Sequence, residues 1–593
     1  MLKYAFGIAF MKIKSMFKTF TFYIAIFLFT SITHSEVYLV SNVNDFNSAQ
    51  SKVLPGDTVM MKNGSWRNSS LVFSCNGTSD KPITLCGQTP GQVILCGTSN
   101  LKIAGNYLIV SGLYFKDGYS SSGDVIQFRN GSSNEANHCR LTNCAIVDFN
   151  PSDSNIDYKW VSIYGTYNRV DHCYFEGKSN LGTTLVVWLE NHPNYHQIDS
   201  NYFSSRPYLG GLNGAETIRV GTSDWSLYDS YTTVEYNYFE NCDGEIEIIS
   251  NKSCNNVYRY NTFFECSGTL TLREGNNCTV EGNYFIGNNK SNTGGVRIIG
   301  ENHKVYNNYF YGLTGNGYRS ALAIVDGIPN TPLSGYAQVK NAIVAFNTFV
   351  NNKYSFNIGI SQDSNQSLPP IDCTIANNIV MSNHSPIVQF GTIPENLTWK
   401  GNIMFGASLG IVQPDGINII DPELYLAGDG IFRPQQSSPV VNSAQGYFPF
   451  ITDDIDGQPR YSVKDIGCDQ LSIAPVIRKM IKSSDVGVKW FNIINNVQLN
   501  SEGKVEKDFR ILQNYPNPFN PETNINYQLP LDSYVTLKIY DILGREVQTL
   551  VSGLQSRGNH TVIFDGGRFA SGVYFYKLTA GNYTSVKKMV LLK

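Results

Sequence analysis

A chain of 593 residues exceeds one ordinary domain, so two folded units or one long repetitive unit are expected. Its 42% apolar and 13% aromatic residues can fill a large core, which excludes overall disorder. Only 16% of residues are charged, and 52 glycines, 36 tyrosines and 33 phenylalanines favour strands and turns. The net charge of −3 provides no global field for nucleic acid, so an anionic ligand has to be held by a local cluster.

Lys3, Lys12, Lys14 and Lys18 precede an apolar run over 20–32, and Thr33-His34-Ser35 offers small residues for cleavage. This pattern predicts a secretory signal peptide over 1–35, which plays no part in the fold. The run is shorter than the roughly 20 apolar residues of a spanning helix, and nothing later resembles one, so no stable membrane insertion is expected after its removal.

Val43-x-Asp45-Phe46, Leu54-Pro55-Gly56-Asp57-Thr58-Val59 and Gly64-x-Trp66 predict an opening unit of strands and turns that begins near Glu36. An Asn-aromatic-Phe signature then recurs at Asn201-Tyr202-Phe203, Asn237-Tyr238-Phe239, Asn261-Thr262-Phe263, Asn283-Tyr284-Phe285, Asn308-Tyr309-Phe310 and Asn347-Thr348-Phe349, with Thr in place of the aromatic in two copies. Its phenylalanines are 36, 24, 22, 25 and 39 residues apart, one repeat with inserted loops. Weaker copies are His172-Cys173-Tyr174-Phe175, Asn377-Asn378-Ile379 and Gly401-Asn402-Ile403. Within the units, short alternating runs such as Thr269-Leu270-Thr271-Leu272 are broken by Gly and Asn, with no helical period. Short strands stacked at such a repeat make a solenoid, here a right-handed parallel β-helix over 36–470.

The cysteines agree with this. Cys242 and Cys266 are 24 apart, as are Cys254 and Cys278, which places each pair at one coil position on successive rungs as stacked core side chains. No Cys-x-x-Cys pair occurs, and Pro193 interrupts His192-x-x-x-His196, so zinc is not expected.

The repeats fade after Ile403, and Asp453-Asp454-Ile455-Asp456-Gly457 with Asp465-Ile466-Gly467 suggests an irregular closing segment. Residues 471–510 suit a linker. Asn514-Tyr515-Pro516-Asn517-Pro518-Phe519-Asn520-Pro521 opens a block, 511–593, with alternating strands over 525–529, 534–540, 561–564, 572–578 and 585–592, a small β-sandwich. A generic carbohydrate-binding sandwich is one reading of it. Its opening and its Gly572-Val573-Tyr574-Phe575-Tyr576 strand resemble the C-terminal sorting domain of the type IX secretion system. That resemblance implies contact with the secretion machinery and passage through the periplasm and outer membrane of a Bacteroidetes-like bacterium, followed by release or surface attachment.

The chemistry gathers between Asn213 and His303. Alternation in Glu245-Ile246-Glu247-Ile248 sends the isoleucines to the core and both glutamates to one outer face, where they can hold a hard cation. A shift of 24 residues to the next rung aligns Glu247 with Thr271 and brings Arg273 to the same face, with Lys252 just past the preceding strand. One rung further, Arg297 falls in or beside that column. On residues alone this is either a solvated charged face or a reactive groove.

Asn213-Gly214-Ala215-Glu216-Thr217-Ile218-Arg219, Glu245-x-Glu247-Ile248-Ile249-Ser250-x-Lys252-Ser253, Leu270-Thr271-Leu272-Arg273 and Gly294-Gly295-Val296-Arg297-Ile298 through His303 resemble polysaccharide lyase family six. The family comprises alginate lyases and chondroitinase B-type dermatan sulfate lyases on a parallel β-helix, and the resemblance spans 37–470. It implies Asn213, Glu216, Glu245 and Glu247 as calcium (Ca2+) ligands, Lys252 as Brønsted base and Arg273 as acid. It further implies that Arg219, Arg297 and His303 bind substrate carboxylates. The expected activity is β-elimination on an anionic polysaccharide, alginate first and dermatan sulfate second; a non-catalytic glycan-binding β-helix is the remaining alternative. Two positions depart from the pattern. Strand parity turns Glu216 inward unless it precedes its strand, and Glu274 follows Arg273 where the family often has His, which would repel a polyanion or recruit a cation.

Overall fold

From Asn201 to Asn402, one turn of each coil is closed by the asparagine of the repeated signature. The Asn201 amide Nδ2 donates to Asn237 Oδ1, and the pattern continues through Asn261, Asn283, Asn308, Asn347 and Asn378 to Asn402, each step 2.9–3.0 Å. The same Oδ1 atoms accept the backbone N–H of the preceding asparagine, so a turn that would bury unpaired polar groups is satisfied by its neighbours. In the weak copy, Cys173 fills this place and donates its N–H to Asn201 Oδ1 at 2.9 Å. Two residues after each asparagine, Phe203, Phe239, Phe263, Phe285, Phe310 and Phe349 stack along the interior with ring centroids 4.3–5.1 Å apart. The signature found in the sequence is therefore one turn and one core column of a repeating coil.

The computed structural model describes residues 35–491 and 510–593, apart from 212, 385, 515, 530–532, 556–557 and 581–582. The expected signal peptide at 1–35 lies outside the described residues but for its last position. Three parallel sheets of 14, 14 and 13 strands run the length of the solenoid, and a coil contributes a strand to each in that order, as in Val257–Arg259, Thr262–Phe264 and Thr269–Glu274. This is a parallel β-helix with a single continuous apolar core. All twelve cysteines are free. Cys242 and Cys266 do stack, the Cys242 N–H lying 3.5 Å from Cys266 Sγ. Cys254 and Cys278 do not share a position: Val257 pairs with Thr279, so Cys278 stands beside Asn256.

Two expectations change. The opening unit contains a helix, Val43–Gln50, because Asn42 Oδ1 accepts the Asp45 N–H at 2.9 Å as an N-cap while Phe46 and Ala49, three apart, bury against the first coil. At the other end, the chain does not leave the β-helix at Gln470. Ile477 and Arg478 donate their N–H groups to Asp456 O, Arg478 lies 4.3 Å from the Tyr260 ring, and Val486 packs on Tyr202 and Tyr238. The outward aromatic of the signature makes an apolar strip that this segment covers. The chain divides after Val488, and 492–509 of the expected linker lie outside the described residues.

The C-terminal unit has a three-stranded and a four-stranded antiparallel sheet around Ile525, Tyr527, Val535, Leu537, Tyr576 and Leu578. It includes a strand absent from the sequence expectation, Glu546–Gln555, whose alternation is broken by two register shifts against Ser533–Tyr540.

Candidate active site

Strands Ile218–Gly221, Glu247–Lys252, Thr269–Glu274 and Val296–Ile298 are successive rungs of the third sheet, and the groove lies on their outer face. Two irregularities separate them from the expected register. Glu247 pairs with Thr269 but Ile249 with Leu270, which makes Ile248 an extra residue; Asn251 pairs with Leu272 but Lys252 with Glu274, which makes Arg273 an extra residue. The uniform shift of 24 therefore fails: Ser250, not Glu247, stands beside Thr271, although Arg297 does follow Thr271. Ile246 leaves the core and packs with Ile299, Tyr318 and Val325 beneath the loop that carries Tyr336. Lys252 is the last residue of its strand rather than a residue beyond it. Bulges re-aim side chains, and here they bring Lys252, Arg273 and Glu274 to one cavity.

Glu216 and Glu245 enter from the segments before their strands, and Glu247 is the first residue of its own. Glu216 sits two residues before its strand, which removes the parity conflict, and is 1% exposed. Gly244 lets the two acidic loops touch: a Cβ there would lie 2.2 Å from Ala215 O and 2.7 Å from Arg206 Nε. Glu245 and Glu247, expected on an open strand face, are both buried. Burial raises the carboxyl pKa of Glu216, and the neighbouring Glu247 adds to the rise against Arg219. Burial together with Glu216 and Glu247 raises that of Glu245. Glu216 Oε2 and Glu245 Oε1 are buried with no hydrogen-bond partner. Oxygen donors that are desolvated, mutually repelling and unpartnered fit a hard cation such as calcium. Asn213 is exposed and lines the same cavity as Glu245 and Glu247. Among the described residues no three His, Cys, Asp or Glu side chains close around one point, so these oxygens form an open set rather than a cage.

The cations are held individually. Lys252 Nζ is 3.6 Å from Glu274 Oε1, and that oxygen also accepts from Ser223 Oγ at 3.0 Å. Burial raises the pKa of the Glu274 carboxyl, opposed by Lys252 and Arg273. Arg273 donates Nη1 to Gly335 O at 2.8 Å and Nη2 to Ser334 O at 3.0 Å; its guanidinium lies 4.1 Å from the Tyr336 ring centre and its Nε 3.9 Å from Glu247 Oε1. Arg297 is buried and donates Nη2 to Glu247 Oε1. Arg219 lies over Trp188 in the adjoining part of the groove.

His303 is not in the groove. It is fully buried in the turn before Lys304–Tyr306, where Nδ1 accepts the Cys278 N–H at 3.2 Å and Nε2 donates to Ile299 O at 2.9 Å. Burial lowers its pKa to about 4. It satisfies a turn as Asn168 does for Cys139 at the same corner of an earlier coil, and both ring nitrogens are occupied.

Two residues that sequence reasoning does not single out support the site. Asn251 points into the apolar interior between Val220 and Leu272; it donates to Ser253 O and Glu274 O and accepts from Asn256 Nδ2 and from the Tyr258 hydroxyl at 2.7 Å. A fully satisfied buried network of this kind fixes the backbone on both sides of Lys252. Arg206, also buried, donates to Ala215 O at 2.6 Å, Gly182 O at 2.8 Å and Lys178 O at 3.2 Å, tying down the loop that carries Glu216. An Asn at an inward parity position is the one signal the sequence carries for this network.

Residues 40–448 match the chondroitinase B family and 513–592 match the secretion system C-terminal sorting domain. The solved structure of the PL6 family alginate lyase AlyGC is 38% identical with a TM-score of 0.67, over 75% of this chain and 59% of that one. A mannuronic acid specific polysaccharide family 6 lyase from human gut microbiota is 34% identical with a TM-score of 0.60, over 65% of this chain and 91% of that one. The PL6 family polysaccharide lyase Pedsa3628 from Pseudopedobacter saltans is 29% identical with a TM-score of 0.57, over 76% of this chain and 99% of that one. The chain thus spans 59% of the length of AlyGC. No curated protein matches. A chain with this β-helix and this groove, matched over more than half its length, belongs to polysaccharide lyase family six, the family of chondroitinase B, and carries a C-terminal secretion sorting domain.

Proposed function

We infer that the protein is an exported lyase that cleaves alginate by β-elimination. The observation that carries this reading is the meeting of Lys252, Arg273 and a set of buried carboxylates in one cavity of about 350 Å³. Lys252 Nζ, as the neutral amine, takes the proton from C5 of a uronate. The electron pair of that C–H bond forms the C4–C5 double bond, the C4–O4 bond breaks, and O4 leaves with a proton from Arg273 or from a water beside it. The products are a 4,5-unsaturated uronate end and a new reducing end. Asn213, Glu216, Glu245 and Glu247 would hold a calcium ion, which when bound would supply positive charge to the C6 carboxylate. Glu274 and Ser223 orient Lys252, the Ser334 and Gly335 carbonyls orient Arg273, and Arg219 and Arg297 supply charge for substrate carboxylates.

Identity to structures named for alginate and mannuronic acid supports alginate. Dermatan sulfate is the second reading, favoured by the chondroitinase B match and by Arg129 and Lys159 beside Arg219 in the groove. The sorting domain supports export through the type IX machinery to the medium or cell surface of a Bacteroidetes-like bacterium. No described helix is long and apolar enough to cross a membrane. The test is the ultraviolet absorbance of unsaturated uronate on mannuronate blocks, guluronate blocks, dermatan sulfate and pectate. A rise on dermatan sulfate alone selects the second reading, and no rise on any polymer overturns the lyase assignment in favour of glycan binding.

A further inference from the structure

Part of the cavity around Arg273 is built by later coils. Tyr318 comes from the short turn Gly317–Arg319, Ser334 and Tyr336 from the loop after strand Leu322–Val325, and Gln362 from the loop after strand Phe356–Ile360. These two strands are the rungs that follow Val296–Ile298 in the site sheet. Ile324 pairs with Ile358 but Val325 with Ile360, so Gly359, with φ of 69°, is an extra residue and the ladder breaks where the second loop leaves it.

The two loops are joined at their necks. Gly327 and Leu368 exchange both backbone N–H···O bonds, at 2.8 and 2.9 Å, and Gln338 Nε2 donates to Pro369 O at 2.8 Å. Gly327 permits this closeness, since a Cβ there would lie 2.5 Å from Gln338 Cα. Further out, Ile328 donates its N–H to Tyr336 O at 2.8 Å, which closes the loop whose Ser334 and Gly335 carbonyls hold Arg273.

One side chain connects all three pieces. Gln366 is 5% exposed and stands behind the residues that line the cavity. Its Oε1 accepts from the Tyr318 hydroxyl at 2.7 Å and from the N–H groups of Gln362 at 2.9 Å and Asp363 at 3.2 Å. Its Nε2 donates to the carbonyl of Asp326, the residue before Gly327, at 3.1 Å. A carboxamide can accept and donate at once, whereas a carboxylate only accepts. The Tyr318 ring lies 5.1 Å from the Arg297 guanidinium and 6.1 Å from the Tyr336 ring, which in turn carries Arg273.

We propose that Gln366 is a positioning residue for Arg273. By tying the turn of Tyr318, the neck at Asp326 and the loop of Gln362 together, it fixes the carbonyls and the ring that aim the guanidinium at the departing O4. This role rests on the uronate-lyase reading and adds to it the device that sets its acid. A reacting group displaced by about 1 Å loses on the order of a hundredfold in rate.

The test uses the full-length chain, its Gln366→Met and Gln366→Glu variants, and two substrates. One is a mannuronate oligomer; the other is the same oligomer with 4-nitrophenol in ether linkage at O4 of its non-reducing end. In both, the C5–H electron pair forms the C4–C5 double bond as C4–O4 breaks. The sugar leaving group takes a proton from Arg273 or the water beside it, whereas 4-nitrophenolate leaves without one. Met keeps the length of the side chain and removes all four bonds; Glu keeps the acceptor and removes the donor. Gln366→Met should lower kcat on the sugar substrate about a hundredfold with KM within about threefold of the parent, and keep release of 4-nitrophenolate within about threefold. Gln366→Glu should fall between Met and the parent on the sugar substrate. Equal losses on the two substrates, which a merely structural role would give, or no loss on either, overturn the positioning role. A parent inactive on both substrates overturns the lyase reading and this role with it.

Discussion

Lys252 and Glu274 face each other across neighbouring rungs, Nζ 3.6 Å from Oε1, because Arg273 is bulged out of the register between them. Of the two roles the sequence leaves open for this acid, repelling a polyanion or recruiting a cation, the structure shows it beside a cation, the buried partner of the lysine. Its carboxyl is 2% exposed and the lysine side chain 16%, so the pair is mostly shielded from water.

Lys252→Ala should therefore do two separable things. Elimination should fall at least about a thousandfold, the scale of a lost general base. Stability should also fall, because Glu274 is left with one cation fewer, and adding Glu274→Gln should restore the unfolding temperature without restoring activity. Absorbance at the unsaturated product and thermal unfolding of the single and double variants check both. Activity near that of the parent would sink the base assignment.

Calcium should raise the unfolding temperature of the whole chain, since a ligand of the folded state stabilises it, and chelation should reverse the effect along with activity. Glu247→Gln should weaken that response. It also removes the counter-charge of Arg297 and Arg273, so it should lower turnover even at saturating calcium. An unfolding temperature indifferent to calcium would argue against the ligand set.

On the first sheet, Asp171 is buried between rungs. Burial alone would raise its pKa, but bidentate bonds from Arg140 at 2.6 Å and one from His172 hold it at about 2. The folded value lies below the ordinary 3.8, so the stabilisation is complete above that pH and is lost as pH falls towards 2. Asp171→Asn should cost about 2 kcal/mol at neutral pH, and the gap from the parent should close between pH 4 and 2 in urea unfolding.

A chain ending at Phe491 should keep its lyase activity and stability, because the solenoid buries its core coil by coil. One ending at Gln470 should be less stable by at least about 2 kcal/mol, since it uncovers the face on which Val486 packs. Equal unfolding temperatures would show that 471–488 contributes nothing. Loss of 511–593 in a native host should leave the enzyme in the periplasm.

The repeat was legible because it is local and recurrent. Asn, one intervening residue and Phe solve the same turn in six successive coils, so a spacing of about two dozen residues implies a ladder and a stack before any contact is known. The acids, the lysine and the arginines of the groove were legible as types in a motif series. Their arrangement was decided by tertiary structure. Period-two parity holds only while strands pair in register, and the extra residues Ile248 and Arg273 break it where the site is built. His303 looks like a ligand in sequence, yet the stacking of turns puts it inside. The carbonyls that hold Arg273 come from Ser334 and Gly335, more than sixty positions away on a loop laid across two rungs. Chain order gives no distance between such residues; only the stacking of coils does.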